Sequence, residues 1–167
     1  MKEKVVLALS WVCVFISMLM IFNFSSEDGE KSSSTSQKVV ESVLGIVMDK
    51  EDITPEVVHK YQFPIRKAAH FGIYMLLGFS LACAYRTTFK NKKFFPYIIS
   101  LPTAALYAVT DELHQKFTFG RTPSFKDVLI DSAGALTGIL IYALFIFLFL
   151  YFQTRADKRR AEKNIAD

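Results

Sequence analysis

The sequence predicts an all-α polytopic membrane protein, with four transmembrane helices and short amphipathic helices in the first extracellular loop. Three observations predict it. Hydrophobic residues make up 51% of the 167-residue chain while 22% are charged, so the two classes must be segregated rather than mixed as on a water-soluble globule. Four apolar stretches, at about residues 5–24, 68–85, 94–110 and 128–152, each reach the roughly 17 to 25 helical residues that cross about 30 Å of hydrocarbon. The charged residues lie almost entirely between them: the only acidic, basic or imidazole side chains inside the stretches are His70, near the start of the second, and Asp131, near the start of the fourth.

The first stretch follows Lys2 and Lys4 like a signal peptide, but Met20 to Phe24 offers no small-x-small cleavage site and the apolar run is long, so it reads as a retained anchor. The loop over residues 25–67 opens with a serine-rich run through Ser36, too poor in apolar residues to bury a core and expected to be a flexible surface segment. Val39, Val40, Val43, Leu44, Val47 and Met48 then recur at helical spacing, an amphipathic pattern. Thr54-Pro55-Glu56 supplies a cap, a first-turn proline and a dipole-complementing acid for a second short helix through about Gln62, which Phe63-Pro64 should end.

Each later span carries a polar stripe at one end. In the second, Arg66, His70, Tyr74 and Gly78 follow at intervals of four; in the third, Tyr107 and Asp111 are continued by either His114 or Gln115. In the fourth, Asp127, Asp131, Gly134 and Gly138 share a face, and the two glycines allow a neighbouring helix to approach closely.

Lys and Arg counts orient the chain. Arg86, Lys90, Lys92 and Lys93 follow the second span with no acid among them, and the tail over 153–167 holds Arg155, Lys158, Arg159, Arg160 and Lys163. Both segments, with Lys2 and Lys4, belong in the cytoplasm, giving both termini inside a multi-pass protein of the cytoplasmic membrane. The net charge of +4 then reflects attraction to anionic lipid rather than to nucleic acid, for which no basic patch interleaved with aromatics exists. Cys13 and Cys83 fall inside spans and read as packing residues.

This topology gathers the polar stripes in one external layer: Ser25, Ser26, Arg66, Lys67, His70, Tyr74, Asp111, Glu112, His114, Gln115, Arg121, Ser124, Asp127 and Asp131. Several chemistries fit. His70, Asp111, Glu112, His114 and Asp131 could act as acids or bases, with Ser25, Ser26 or Ser124 as nucleophile, although no local nucleophile motif is present. No resident cofactor is expected; were a divalent ion bound, His70, Asp111, His114 and Asp131 would ligate it, since Asp111 and His114 have the i, i+3 spacing of helical metal sites. Alternatively, Arg66, Lys67 and Arg121, with the start of the fourth helix, could hold an anionic head group. Against that, Ser124-x-x-Asp127 also has the form of a plain helix cap.

Phe24-Ser25-Ser26, Lys67-x-x-His70-x-x-x-Tyr74-x-x-x-Gly78 and the long run Asp111-Glu112-x-x-Gln115-x-Phe117-x-x-Gly120-Arg121-x-x-Ser124-x-x-Asp127-Val128-x-x-Asp131-x-x-Gly134 resemble the VanZ-like family. The resemblance implies a single small membrane domain over residues 1–167, in the envelope of a Gram-positive bacterium. It also implies a link to low-level resistance to the lipoglycopeptide antibiotic teicoplanin, without implying a reaction. Membrane lipid, a lipid-linked envelope component or the antibiotic itself are the partners expected. Two departures stand out: Glu27 where the family commonly has Gln, and Asp131 where it often has Asn, each adding negative charge to the layer.

Overall fold

The computed structural model describes residues 2–26, 29–120 and 122–166, and the regular structure among them is entirely helical. Helix α1 is Lys2–Ser25, α2 Gly29–Val47, α3 Pro55–Thr88, α4 Phe95–Gln115 and α5 Phe125–Ala166, with a 3-10 turn at Lys50–Asp52. Glu3–Ser25, Pro55–Thr88 and Phe125–Arg160 are long and apolar enough to cross a membrane. Helix α4 is not, against the expectation of four such spans. Pro96, Pro102, Ser100, Thr103 and Thr110 dilute its hydropathy, and Asp111 and Glu112 continue the helix into polar sequence.

Helix α3 is the hub, packing on α5, α1, α4 and α2. Its closest approach is to α5. A Cβ on Gly78 would strike the Ala135 carbonyl, one on Gly134 the Phe71 carbonyl and one on Gly138 the Met75 carbonyl, so the two backbones touch where no side chain fits. The Phe71–Gly134 and Met75–Gly138 pairings run in the same sense along both helices, so α3 and α5 are parallel. Val14 and Ile21 of α1, Tyr74, Leu77 and Leu81 of α3, Ala104 and Ala108 of α4 and Ala135 of α5 form the core. The outward faces are apolar: Phe15, Ile98, Leu106, Leu140 and Phe147 are exposed, as on helices solvated by lipid.

Two loop expectations are overturned. The serines from Ser32 to Ser36 do not form an irregular segment, since α2 begins at Gly29 and includes them. Val40 and Leu44 of α2 are buried against Val58 of α3, and once that turn is fixed each further residue adds a backbone bond at little cost. Nor does Phe63-Pro64 end a separate helix: α3 runs unbroken from Pro55 to Thr88 with Pro64 inside it. Thr54 caps its start through Val57 N–H, and packing on both sides of the proline, by Val58 and Ile65, holds the helix across the one backbone bond that proline cannot make.

At the end of the bundle remote from the polar stripes, α1 is fastened to α3 by Ser10 with Thr87 and by Trp11 Nε1 donating to Thr88 Oγ1, each at 3.1 Å. Lys90, beyond the end of α3, pairs there with Glu3 at 2.7 Å.

Candidate functional site

The other end of the bundle holds the end of α1, the middle of α3, the end of α4 and the start of α5. Helical register decides which side chains turn inward. On α4, Asp111 and Gln115 are four apart and both buried, while His114 points toward α1 and is only half-buried. Gln115, not His114, therefore continues the Tyr107–Asp111 stripe. On α3, His70 is half-buried and Tyr74 fully buried; on α5, Asp131 is 1% exposed.

These residues surround one small chamber. His70, Asp111 and Asp131 each place a potential ligand atom within 4.8 Å of the others, although they come from three helices. His70 Nδ1 stands 4.0 Å from Asp131 Oδ1, too far for a hydrogen bond. Gln115 Nε2 donates to Asp111 Oδ2 at 3.0 Å, and the Ser25 and Tyr74 hydroxyls approach the same carboxylate from α1 and α3. Ser25 Oγ, Tyr74 OH and Asp131 Oδ2 are buried with no hydrogen-bond partner among the described residues. Unpaired buried polar atoms cost free energy, so their collection at one point marks a built polar site rather than packing.

Around this chamber the remaining groups are engaged with one another. Lys67 pairs with Asp127, linking α3 to α5. Glu112 Oε2 accepts the Ser124 backbone N–H at 2.7 Å, so Ser124 works here through its main chain. The anion-holding arrangement expected from Lys67 and the start of α5 is therefore already filled by the protein's own acids. His114 Nε2 lies 3.2 Å from Ser26 Oγ and its ring sits against Phe22, with centroids 5.0 Å apart. This removes His114 from the His70–Asp111–Asp131 group, because the i, i+3 spacing turns it toward a different neighbour. Arg66 is half-buried on α3, and Glu27 and Arg121 lie outside the described residues.

One feature is absent from any reading of the sequence. A cleft of about 200 Å³ between α1, α3 and α4 is lined by Met18, Leu77, Leu81, Thr103, Leu106, Tyr107 and Thr110. Tyr107 lines it beside Tyr74, donating its hydroxyl to the Met18 carbonyl at 2.7 Å with its ring centroid 6.5 Å from that of Tyr74. The Tyr107–Asp111 stripe pointed toward this place, but a gap between three helices has no sequence signature.

Among curated proteins and among solved structures, none matches the chain. A family model does, over residues 10–151, a range that takes in the end of α1, the whole of α3 and α4 and the buried acid of α5. Helices long and apolar enough to span a bilayer, a glycine-mediated α3–α5 crossing and a buried His-Asp-Asp chamber are thus the structure of a membrane protein that belongs to the VanZ/LLP1 family.

Proposed function

We propose that this protein crosses the bacterial cytoplasmic membrane four times with both termini cytoplasmic, and that its polar chamber faces outward and binds the head of an amphiphile. In this role it lowers susceptibility to teicoplanin-type lipoglycopeptides. The observation that carries the binding reading is the adjacency of two unlike spaces. An apolar cleft of about 200 Å³ is lined in part by Tyr107, whose ring lies 6.5 Å from that of Tyr74, a buried neighbour of the polar groups around Asp111. An amphiphile has that same division into tail and head.

The topology draws support from charge. Arg86, Lys90, Lys92 and Lys93 gather at the end opposite the chamber, where Glu3 brings the N-terminus beside Lys90. As the remaining span, α4 has 21 residues, about 32 Å of helix at 1.5 Å per residue. Its buried Ala104 and Ala108 face the bundle, with Ile98 and Leu106 left for lipid.

The test is expression in a teicoplanin-susceptible Gram-positive host, with Asp111→Asn and Leu106→Trp beside the unaltered chain. The unaltered chain should raise the inhibitory concentration of teicoplanin, and both variants should lose that rise, one by changing the head site and the other by filling the cleft. Unchanged susceptibility with a normally expressed protein removes the resistance half of the reading. The closeness of His70 to Asp131 supports a second reading, turnover of a lipid-linked envelope substrate at the membrane interface. Product formation from extracted envelope lipids, lost in His70→Ala, would favour it.

A further inference from the structure

The chamber groups fail to satisfy one another in a way that points to a particular partner. Asp131 is 1% exposed, its Oδ2 is unpaired and its Oδ1 is 4.0 Å from the nearest imidazole nitrogen of His70. A carboxylate so placed is expensive unless a positive charge stands beside it. Lys67 does not serve, since it is paired with Asp127. Tyr74 OH and Ser25 Oγ, both on fully buried residues, are likewise unpaired and turned toward Asp111. Five polar side chains from four helices thus converge, and Gln115 donates a hydrogen bond to Asp111 Oδ2.

We propose that His70, Asp111 and Asp131 bind one divalent transition-metal ion of the Mn²⁺, Fe²⁺ or Zn²⁺ kind. A donor set of one imidazole and two carboxylates suits these ions better than Ca²⁺ or Mg²⁺, which prefer oxygen alone, or Cu⁺, which prefers sulfur. Two ligands about 2.1 Å from a common ion lie roughly 3.0 to 3.5 Å apart, so the three ligand atoms, within 4.8 Å of one another, need to close by at most about 1 to 2 Å. Rotation about the side-chain torsions of His70 and the two aspartates supplies that.

Three protein ligands leave at least one coordination position free, on the side where Tyr74 and Ser25 present their hydroxyls. An ion there balances the charge of Asp111 and Asp131 and converts an acid-lined chamber into one able to grip an oxygen of an anionic head group. The inference deepens the amphiphile reading and shares its chamber, but it is tested with metal alone.

The full chain, purified in detergent and stripped with a chelator, is titrated with Mn²⁺ and separately with Zn²⁺ by calorimetry, with the bound Mn²⁺ also followed by its paramagnetic resonance signal. Uptake of about one ion per chain is expected, undiminished by equal Mg²⁺ or Ca²⁺. His70→Ala and Asp131→Asn should each weaken it by more than the roughly 10- to 100-fold that removal of an outer supporting group costs, while His59→Ala, an exposed imidazole elsewhere on α3, should not. The unaltered chain should also melt at higher temperature with the ion than without, a readout that survives if a variant fails to fold. No uptake and no melting shift overturns the proposal, as does affinity that falls with His59→Ala rather than with His70→Ala. Ion binding without any effect on teicoplanin susceptibility would uphold this site and remove the resistance reading instead.

Discussion

Glu112 Oε2 accepts the backbone N–H of Ser124 at 2.7 Å, a bond between residues 12 apart that ties the last turn of α4 to the first of α5. It also occupies the helix start that would otherwise attract a foreign anion. Glu112→Ala leaves that N–H without its partner in a partly buried position and should destabilise the protein by about 1–3 kcal/mol. Glu112→Gln keeps an acceptor oxygen and should cost less. Thermal melting of the two in detergent, together with protease cleavage after Lys116, reads the difference; equal melting of both variants with the unaltered chain would refute the role.

The α3–α5 crossing depends on the lack of a side chain at Gly138, where a Cβ would collide with the Met75 carbonyl. Gly138→Ala should therefore push the two backbones apart and cost about 1–3 kcal/mol or more, since backbone cannot rotate out of the way as a side chain can. Gly72→Ala, on α3 but with open space around it, is the matched control and should leave melting unchanged or slightly raise it. A monodisperse, wild-type-like elution profile for Gly138→Ala would contradict the crossing.

Lys67 and Asp127 join the same two helices through an ion pair whose side chains are only 23% and 22% exposed. Such a pair is screened less than a surface one, so a double-mutant cycle with Lys67→Met and Asp127→Asn should give a coupling within about 0.5–3 kcal/mol. It should change little between low and moderate salt. Coupling near zero would mean that the two side chains are solvated separately.

Tyr107 has a structural task and a binding one, and Tyr107→Phe separates them. The variant loses the hydrogen bond to the Met18 carbonyl, worth about 1 kcal/mol, while its ring still lines the cleft. Melting temperature should fall and amphiphile binding, followed by retention of co-purified lipid in native mass spectrometry, should persist. Loss of binding without loss of stability would place the hydroxyl itself on the ligand.

Particular residues show why some of this was legible in sequence. Periodicity identified the inward faces because burial and spacing are linked on a helix: His70 with Tyr74, Asp111 with Gln115, and Asp131 with Gly134 and Gly138 all turn toward the bundle. It could not choose between His114 and Gln115, one residue apart, because either lies within one turn of Asp111; Phe22 and Ser26 of α1 made that choice. Local rules misplaced the break at Pro64 because the preference that ends a helix there is weaker than the packing of Val58 and Ile65 on either side. The Met18–Leu106–Tyr107 cleft was invisible for a different reason. Sequence patterns report what a residue faces, not where three faces fail to meet.

The unbroken passage of α3 through Pro64 has a structural consequence. At 34 residues it is about 51 Å long, a single rod with the α2 contact at Val58 near one end, His70 and Tyr74 along its middle and the Trp11–Thr88 fastening at the other. The α2 contact at Val40 and Leu44 and the His70–Tyr74 site are therefore carried by one continuous helix, which also holds the glycine contact with α5. The helix that begins with the serine-rich segment, the least chemically distinctive part of the chain, thus packs through Val40 and Leu44 on the same helix that carries His70 and Tyr74.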